Sequence, residues 1–70
     1  MMEIKARVPG MIAEVKVNEG DHVEVKDVLM VMEAMKMEQP IPCPVAGEVV
    51  ELRVGKGDRV RSGDVLAVVE

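Results

Sequence analysis

Apolar and polar residues alternate along most of this chain, as in Val15-Lys16-Val17 and His22-Val23-Glu24-Val25. A period of two places successive side chains on opposite faces of a strand, and β-branched valine favours that geometry. No helical period competes. The pattern predicts strands over Glu3 to Val8, Met11 to Val17, His22 to Val25, Val28 to Met32, Met37 to Ile41, Glu48 to Val54, Arg59 to Arg61 and Val65 to Val69. Turn-forming residues fall between them at Pro9-Gly10, Asn18 to Asp21, Lys26-Asp27, Ala34 to Lys36, Pro44 to Gly47, Gly55 to Asp58 and Ser62 to Asp64.

The pattern is also duplicated. Laying Gly10 to Glu33 over Gly47 to Glu70 gives the identities Gly10/Gly47, Glu14/Glu51, Val17/Val54, Gly20/Gly57, Asp21/Asp58, Val23/Val60, Asp27/Asp64, Val28/Val65, Leu29/Leu66, Val31/Val68 and Glu33/Glu70. Mismatches such as Ile12/Val49, Val15/Leu52 and Lys16/Arg53 keep their character. The fold class expected is all-β: a flattened barrel or sandwich of two four-stranded antiparallel sheets with an internal pseudo-two-fold repeat, forming one domain over residues 1–70. The matched pairs Val15/Leu52, Val17/Val54, Val23/Val60, Leu29/Leu66 and Val31/Val68 are the expected core. In both halves a Gly-Asp pair should form a turn, glycine supplying the positive φ and aspartate bonding nearby amides. Gly10 and Gly47 are read as turn residues as well.

Only the stretch between the copies departs from the repeat. Met30 to Glu33 and Met37 to Ile41 can pair as a hairpin across Met35-Lys36, a tip without the Asn-Gly or Asp-Gly chemistry that tight hairpins favour. A locally disfavoured tip suggests that another requirement acts there. Pro40, Pro42 and Pro44 cannot donate to a ladder, so the returning strand should lie at an edge. Met30 and Met32 should fill core space, whereas Met35 and Met37 are apolar at an exposed tip and suggest recognition.

Composition removes several classes of function. The chain has 70 residues, no Phe, Tyr or Trp, and a formal net charge of −4. Without aromatic stacking platforms and with an acidic balance, nucleic-acid binding is not expected. Arg53, Lys56, Arg59 and Arg61 are interleaved with Glu51, Asp58 and Asp64, which reads as a mixed-sign solvated face. One cysteine excludes an internal disulfide, and one cysteine with one histidine is too few for a structural zinc site. Cys43 reads as a small buried residue and His22 as an exposed one. No nucleophile–base or paired-acid arrangement appears, so no catalytic residue is assigned and the chain is not expected to be an enzyme by itself. No leader pattern and no apolar run long enough to span a bilayer is visible, so a cytoplasmic protein without direct membrane insertion is expected.

From Ile4 to Val69 the chain resembles the biotinyl domains of biotin-dependent carboxylases, decarboxylases and transcarboxylases. The residues that carry the resemblance are Glu33-Ala34-Met35-Lys36-Met37-Glu38, supported by Pro9-Gly10, Gly20-Asp21-x-Val23, Pro44-x-Ala46-Gly47 and Gly57-Asp58-x-Val60-x-x-Gly63-Asp64. The resemblance implies biotin in amide linkage on Lys36, with Met35 and Met37 beside the cofactor. It implies recognition of Glu33, Ala34, Met35 and Met37 by a biotin protein ligase, which activates biotin with ATP. It also implies a biotin carboxylase and a carboxyltransferase or decarboxylase subunit as partners, between which a carboxyl group is carried. Lys26 stands where the family often has glycine, so its turn should be strained or of another type. The short Gly20 to Val28 connection leaves no room for the protruding thumb of some biotinyl domains. Two alternatives remain: a lipoyl carrier, whose lysine is more typically flanked by Asp and Ala, and an unmodified lipoyl-like interaction module.

Overall fold

The computed structural model describes all residues, Met1–Glu70, and contains eight strands and no helix. The strands are β1 (Met2–Lys5), β2 (Gly10–Val15), β3 (His22–Val23), β4 (Val28–Ala34), β5 (Met37–Pro42), β6 (Gly47–Leu52), β7 (Arg59–Val60) and β8 (Val65–Val69). They form two antiparallel four-stranded sheets, in the orders β1-β8-β6-β3 and β5-β4-β2-β7. The sheets are open at their edges, so the arrangement is a flattened sandwich. No helix is long and apolar enough to cross a membrane.

The duplication reaches further than the aligned stretch. Exchanging β1 with β5, β2 with β6, β3 with β7 and β4 with β8 converts one strand order into the other. Registers are exchanged too: Met2↔Val69, Glu3↔Val68 and Ile4↔Ala67 correspond to Met32↔Gln39, Val31↔Pro40 and Met30↔Ile41. Each sheet draws two strands from each half, so neither half can bury its apolar face without the other.

Backbone bonds outside the ladders repeat in the same way. Ala6 N–H donates to Asp64 O at 2.9 Å, and Cys43 N–H to Asp27 O at 2.7 Å. Gly20 N–H donates to Val49 O and Gly57 N–H to Ile12 O, both at 2.7 Å. The Gly-Asp turns form as expected, with Asn18 N–H and Gly55 N–H each donating to the carboxylate of Asp21 and Asp58 at 2.8 Å. Asp27 and Asp64 do the same for Glu24 and Arg61. Lys26 takes a positive φ of 76°, beside 91° for its counterpart Gly63.

Val23, Val60, Leu29 and Leu66 are in the core, together with Ile12, Met30, Met32, Val49 and Val69. The rest of the expected core is only partly right. Val15, Val17, Leu52 and Val54 are half-buried and pack at its margin. Val31 is half-buried and Val68 buried, but both lie outside the central cluster. The cause is a bulge: the β4–β5 register slips between Val28 and Met30, and the β1–β8 register slips between Ile4 and Lys5. An extra residue shifts the alternation by one, so Leu29 and Met30 are buried in succession, as are Leu66 and Ala67.

Gly10 and Gly47 are not turn residues but the first residues of β2 and β6. A Cβ on Gly10 would stand 2.5 Å from Glu33 O, and one on Gly47 2.6 Å from Glu70 O. Close backbone approach, not a positive φ, requires glycine at both places. Cys43 is buried, and its thiol donates to Val45 O at 2.9 Å. His22 is exposed and contacts Glu24. The four basic residues are all exposed, and Arg53 donates to Glu51 at 2.7 Å. That bond and the attraction of the Glu51 carboxylate push the Arg53 guanidinium above its ordinary range.

Candidate functional site

The β4–β5 hairpin is held almost to its tip. Its pairing runs through Met32↔Gln39 and Glu33↔Glu38 to Ala34↔Met37, leaving Met35 and Lys36 as the two linking residues. On its other side β4 pairs with β2, Met11 lying opposite Glu33. Glu33 is therefore braced from both flanks, and Lys36 follows three residues later. β5 carries Pro40 and Pro42 at the sheet edge, where their missing N–H groups break no inner ladder.

Met35 and Lys36 have φ of 53° and 64°. Positive φ at both linking residues is what a two-residue type I′ hairpin requires, and for non-glycine residues it costs about 1–2 kcal/mol each. The tip thus keeps an unfavourable sequence in a favourable hairpin geometry. Lys36 is exposed and makes neither an ion pair nor a side-chain hydrogen bond, while Met35 is 74% and Met37 63% exposed. Without a partner, the exposed Lys36 amine stands on a braced base.

Glu33 is exposed at the hairpin's root, directly across from Glu38, and neither carboxylate has a cationic partner within ion-pair distance. Like charges opposite one another disfavour the pairing. Ala34, expected to contribute to recognition, is 3% exposed and packs into the core while lining the groove beside Glu33 and Met35. A small residue is needed there because Gly10 crosses beneath; a Cβ on Gly10 would lie 3.2 Å from the Ala34 Cβ.

A shallow groove of about 650 Å³ runs beside this root, lined by Met11, Glu33, Met35, Arg59, Arg61 and Asp64 among others. Met11, Arg59 and Arg61 were not singled out as site residues from the sequence, nor was Glu38. For Met11, Arg59 and Arg61 a signal was present in the repeat, where Met11 aligns with Glu48, Arg59 with His22 and Arg61 with Glu24, each a change of charge; Glu38 lies outside the repeated stretch. No cluster of His, Cys, Asp and Glu side chains has metal-site geometry.

A carrier lysine has to be exposed, unpaired and rigidly based, and Lys36 meets all three conditions. The chain belongs to the family described as "Biotin-requiring enzyme", whose model matches residues 1–69. It is 41% identical over 39 residues to the biotinylated protein TB7.3 of Mycobacterium tuberculosis, covering 56% of this chain and 55% of that protein. The urea carboxylase of Kluyveromyces lactis superposes with a TM-score of 0.92 at 30% identity, over 99% of this chain and 6% of that one. The lipoyl domain of the Azotobacter vinelandii 2-oxoglutarate dehydrogenase complex superposes with a TM-score of 0.86, over 100% of this chain and 96% of that domain, but at 22% identity it shares the fold alone. The chain spans only 6% and 4% of two pyruvate carboxylase relatives that it also matches.

Proposed function

We propose that Lys36 Nζ is the acceptor of biotin, joined to it by a biotin protein ligase, and that the loaded domain serves a biotin carboxylase and a carboxyltransferase or decarboxylase. The observation that carries this reading is the unpaired amine at a left-handed, methionine-flanked tip that the sheet braces to within one residue. When attached, biotin supplies a ring nitrogen able to carry a carboxyl group. The protein's share is to hold out the tether and keep its base still.

In the loading step Nζ must attack the carboxyl carbon of biotin activated as its adenylate, forming the C–N bond as the acyl C–O bond breaks and AMP leaves, and must give up a proton to do so. The nearest carboxylates along the hairpin, those of Glu33 and Glu38, are paired one step below Ala34↔Met37 and form no ion pair with the amine. Proton removal therefore falls to the ligase. Met35 and Met37 would offer apolar, adaptable contacts to the ligase or to the bound group. Tethering then replaces free encounter by a local concentration on the order of mM.

The test is mass spectrometry of the protein after incubation with biotin, ATP and biotin protein ligase. One biotinyl addition on Lys36 is expected, with none on Lys36→Arg at unchanged melting temperature. Addition at Lys5, Lys16, Lys26 or Lys56, or preferential modification by a lipoyl ligase, would overturn the assignment.

A further inference from the structure

The internal repeat provides a control for which surface residues the fold needs. Around the hairpin's root stand Met11, Arg59 and Arg61; their counterparts around the end of β8 are Glu48, His22 and Glu24. The backbone at the two places is the same: Met11 pairs with Arg59 as Glu48 pairs with His22. The acids common to both, Glu33 with Glu70 and Asp64 with Asp27, cannot distinguish them, and Asp64 and Asp27 each accept a backbone N–H in their own turn. One root therefore carries an apolar side chain and two guanidinium groups where the other carries two carboxylates and an imidazole. Arg59 and Arg61 are exposed and form no ion pair, although Asp64 lines the same groove.

Resting on the assignment of Lys36 as biotin acceptor, we propose that Met11, Arg59 and Arg61 form the docking surface for the biotin protein ligase, which meets it with an acidic, apolar-centred face. Reach selects the ligase among the partners of Lys36. Its reacting carbon must come to Nζ on the lysine's own four-carbon stem, so its surface must close on Met35, Met37 and the groove that Met35 lines. An enzyme that receives the longer biotinyl arm can stand further away. Unpaired arginines at the rim of such a contact steer the encounter and fix its orientation, whereas the chemical step stays with the tip.

The test measures initial rates of biotinylation against domain concentration, using the biotin protein ligase of the same organism. Arg59→Glu/Arg61→Glu should raise KM by about tenfold and change kcat by less than about twofold. Arg59→Gln/Arg61→Gln should raise KM less and remove most of its dependence on NaCl between low and physiological ionic strength. Glu24→Lys, at the counterpart site, should leave KM unchanged. Circular dichroism and melting curves establish that each variant is folded. KM unchanged in both arginine variants, a fall confined to kcat, or an equal KM change in Glu24→Lys would overturn the docking surface while the acceptor assignment stands. Absence of labelling in the wild-type protein would instead remove both.

Discussion

The β4–β5 hairpin and the β8–β1 pair are the same structure built twice, and only one of them presents a lysine. Their registers agree residue for residue, including the bulge, and a glycine passes beneath each root, Gly10 under Glu33 and Gly47 under Glu70. Between β4 and β5 stand Met35 and Lys36 in left-handed conformation; β8 and β1 lie side by side with no turn between them. The sandwich therefore forms the second pair without any such tip. What the fold requires is the shared part, and what function requires is found by subtraction: the tip, its methionines and the unlike charges at its root.

The largest expected effect separates these two requirements at one residue. Lys36→Gly should abolish acceptance of biotin and at the same time stabilise the hairpin by about 1 kcal/mol, because glycine adopts a positive φ without the steric cost that a side chain carries. In a domain of this size that corresponds to a rise in melting temperature of about 4–8 °C. A thermal melt beside a labelling assay checks both. A variant that melts lower than wild type would show that the lysine stem contributes packing to the tip, against its exposed and unpartnered state.

A second pair of substitutions tests whether the two roots are equal as structure but unequal in function. Gly10→Val and Gly47→Val each drive a side chain into a backbone carbonyl, and each should cost about 1–3 kcal/mol or more by overpacking. Urea midpoints should fall by similar amounts. Below both midpoints, labelling of Lys36 should slow only in Gly10→Val, whose displaced neighbour is Glu33. Equal slowing in folded Gly47→Val would mean that the tip senses the whole sandwich and not its own root.

The repeat was legible in the sequence because each copy alternates cleanly and is punctuated by Gly-Asp turns. All eight strands were visible, as were the edge position of β5 and the exposed hairpin with Lys36 at its tip. The bulges were not visible. In Leu29-Met30 and Leu66-Ala67 apolar residues run on without a polar one to mark the slip, so the matched pair Val31/Val68 was read as core, of which Val68 is buried and Val31 only half-buried. The equivalence of β1 and β5 was hidden because Pro40 and Pro42 face Glu3 and Lys5 in the alignment, although Ile4/Ile41 and Val8/Val45 agree. Gly10 and Gly47 looked like turn formers because a glycine's sequence context does not show which backbone passes over it. Ala34 lies inside the hexapeptide Glu33 to Glu38 that carries the family resemblance, and it packs into the core.

The smallest effect concerns the turn at which one half holds a positive φ with lysine and the other with glycine. Lys26 and Gly63 both have positive φ, and their N–H groups make corresponding bonds, to Cys43 O at 2.7 Å and Ala6 O at 2.8 Å. A Cβ added at Gly63 would meet no atom within 4 Å, so conformational strain alone separates glycine from other residues there. Lys26→Gly should stabilise by up to about 1 kcal/mol and Gly63→Ala destabilise by a similar amount. Exchanging the strain in the double variant Lys26→Gly/Gly63→Lys should leave the melting temperature within a few degrees of wild type, since the two sites are related by symmetry and share no side-chain partner. A double variant clearly below wild type would show that the halves differ in more than surface charge. A lysine tolerated equally at either turn would confirm that Lys26, unlike Lys36, occupies a left-handed position for no functional gain.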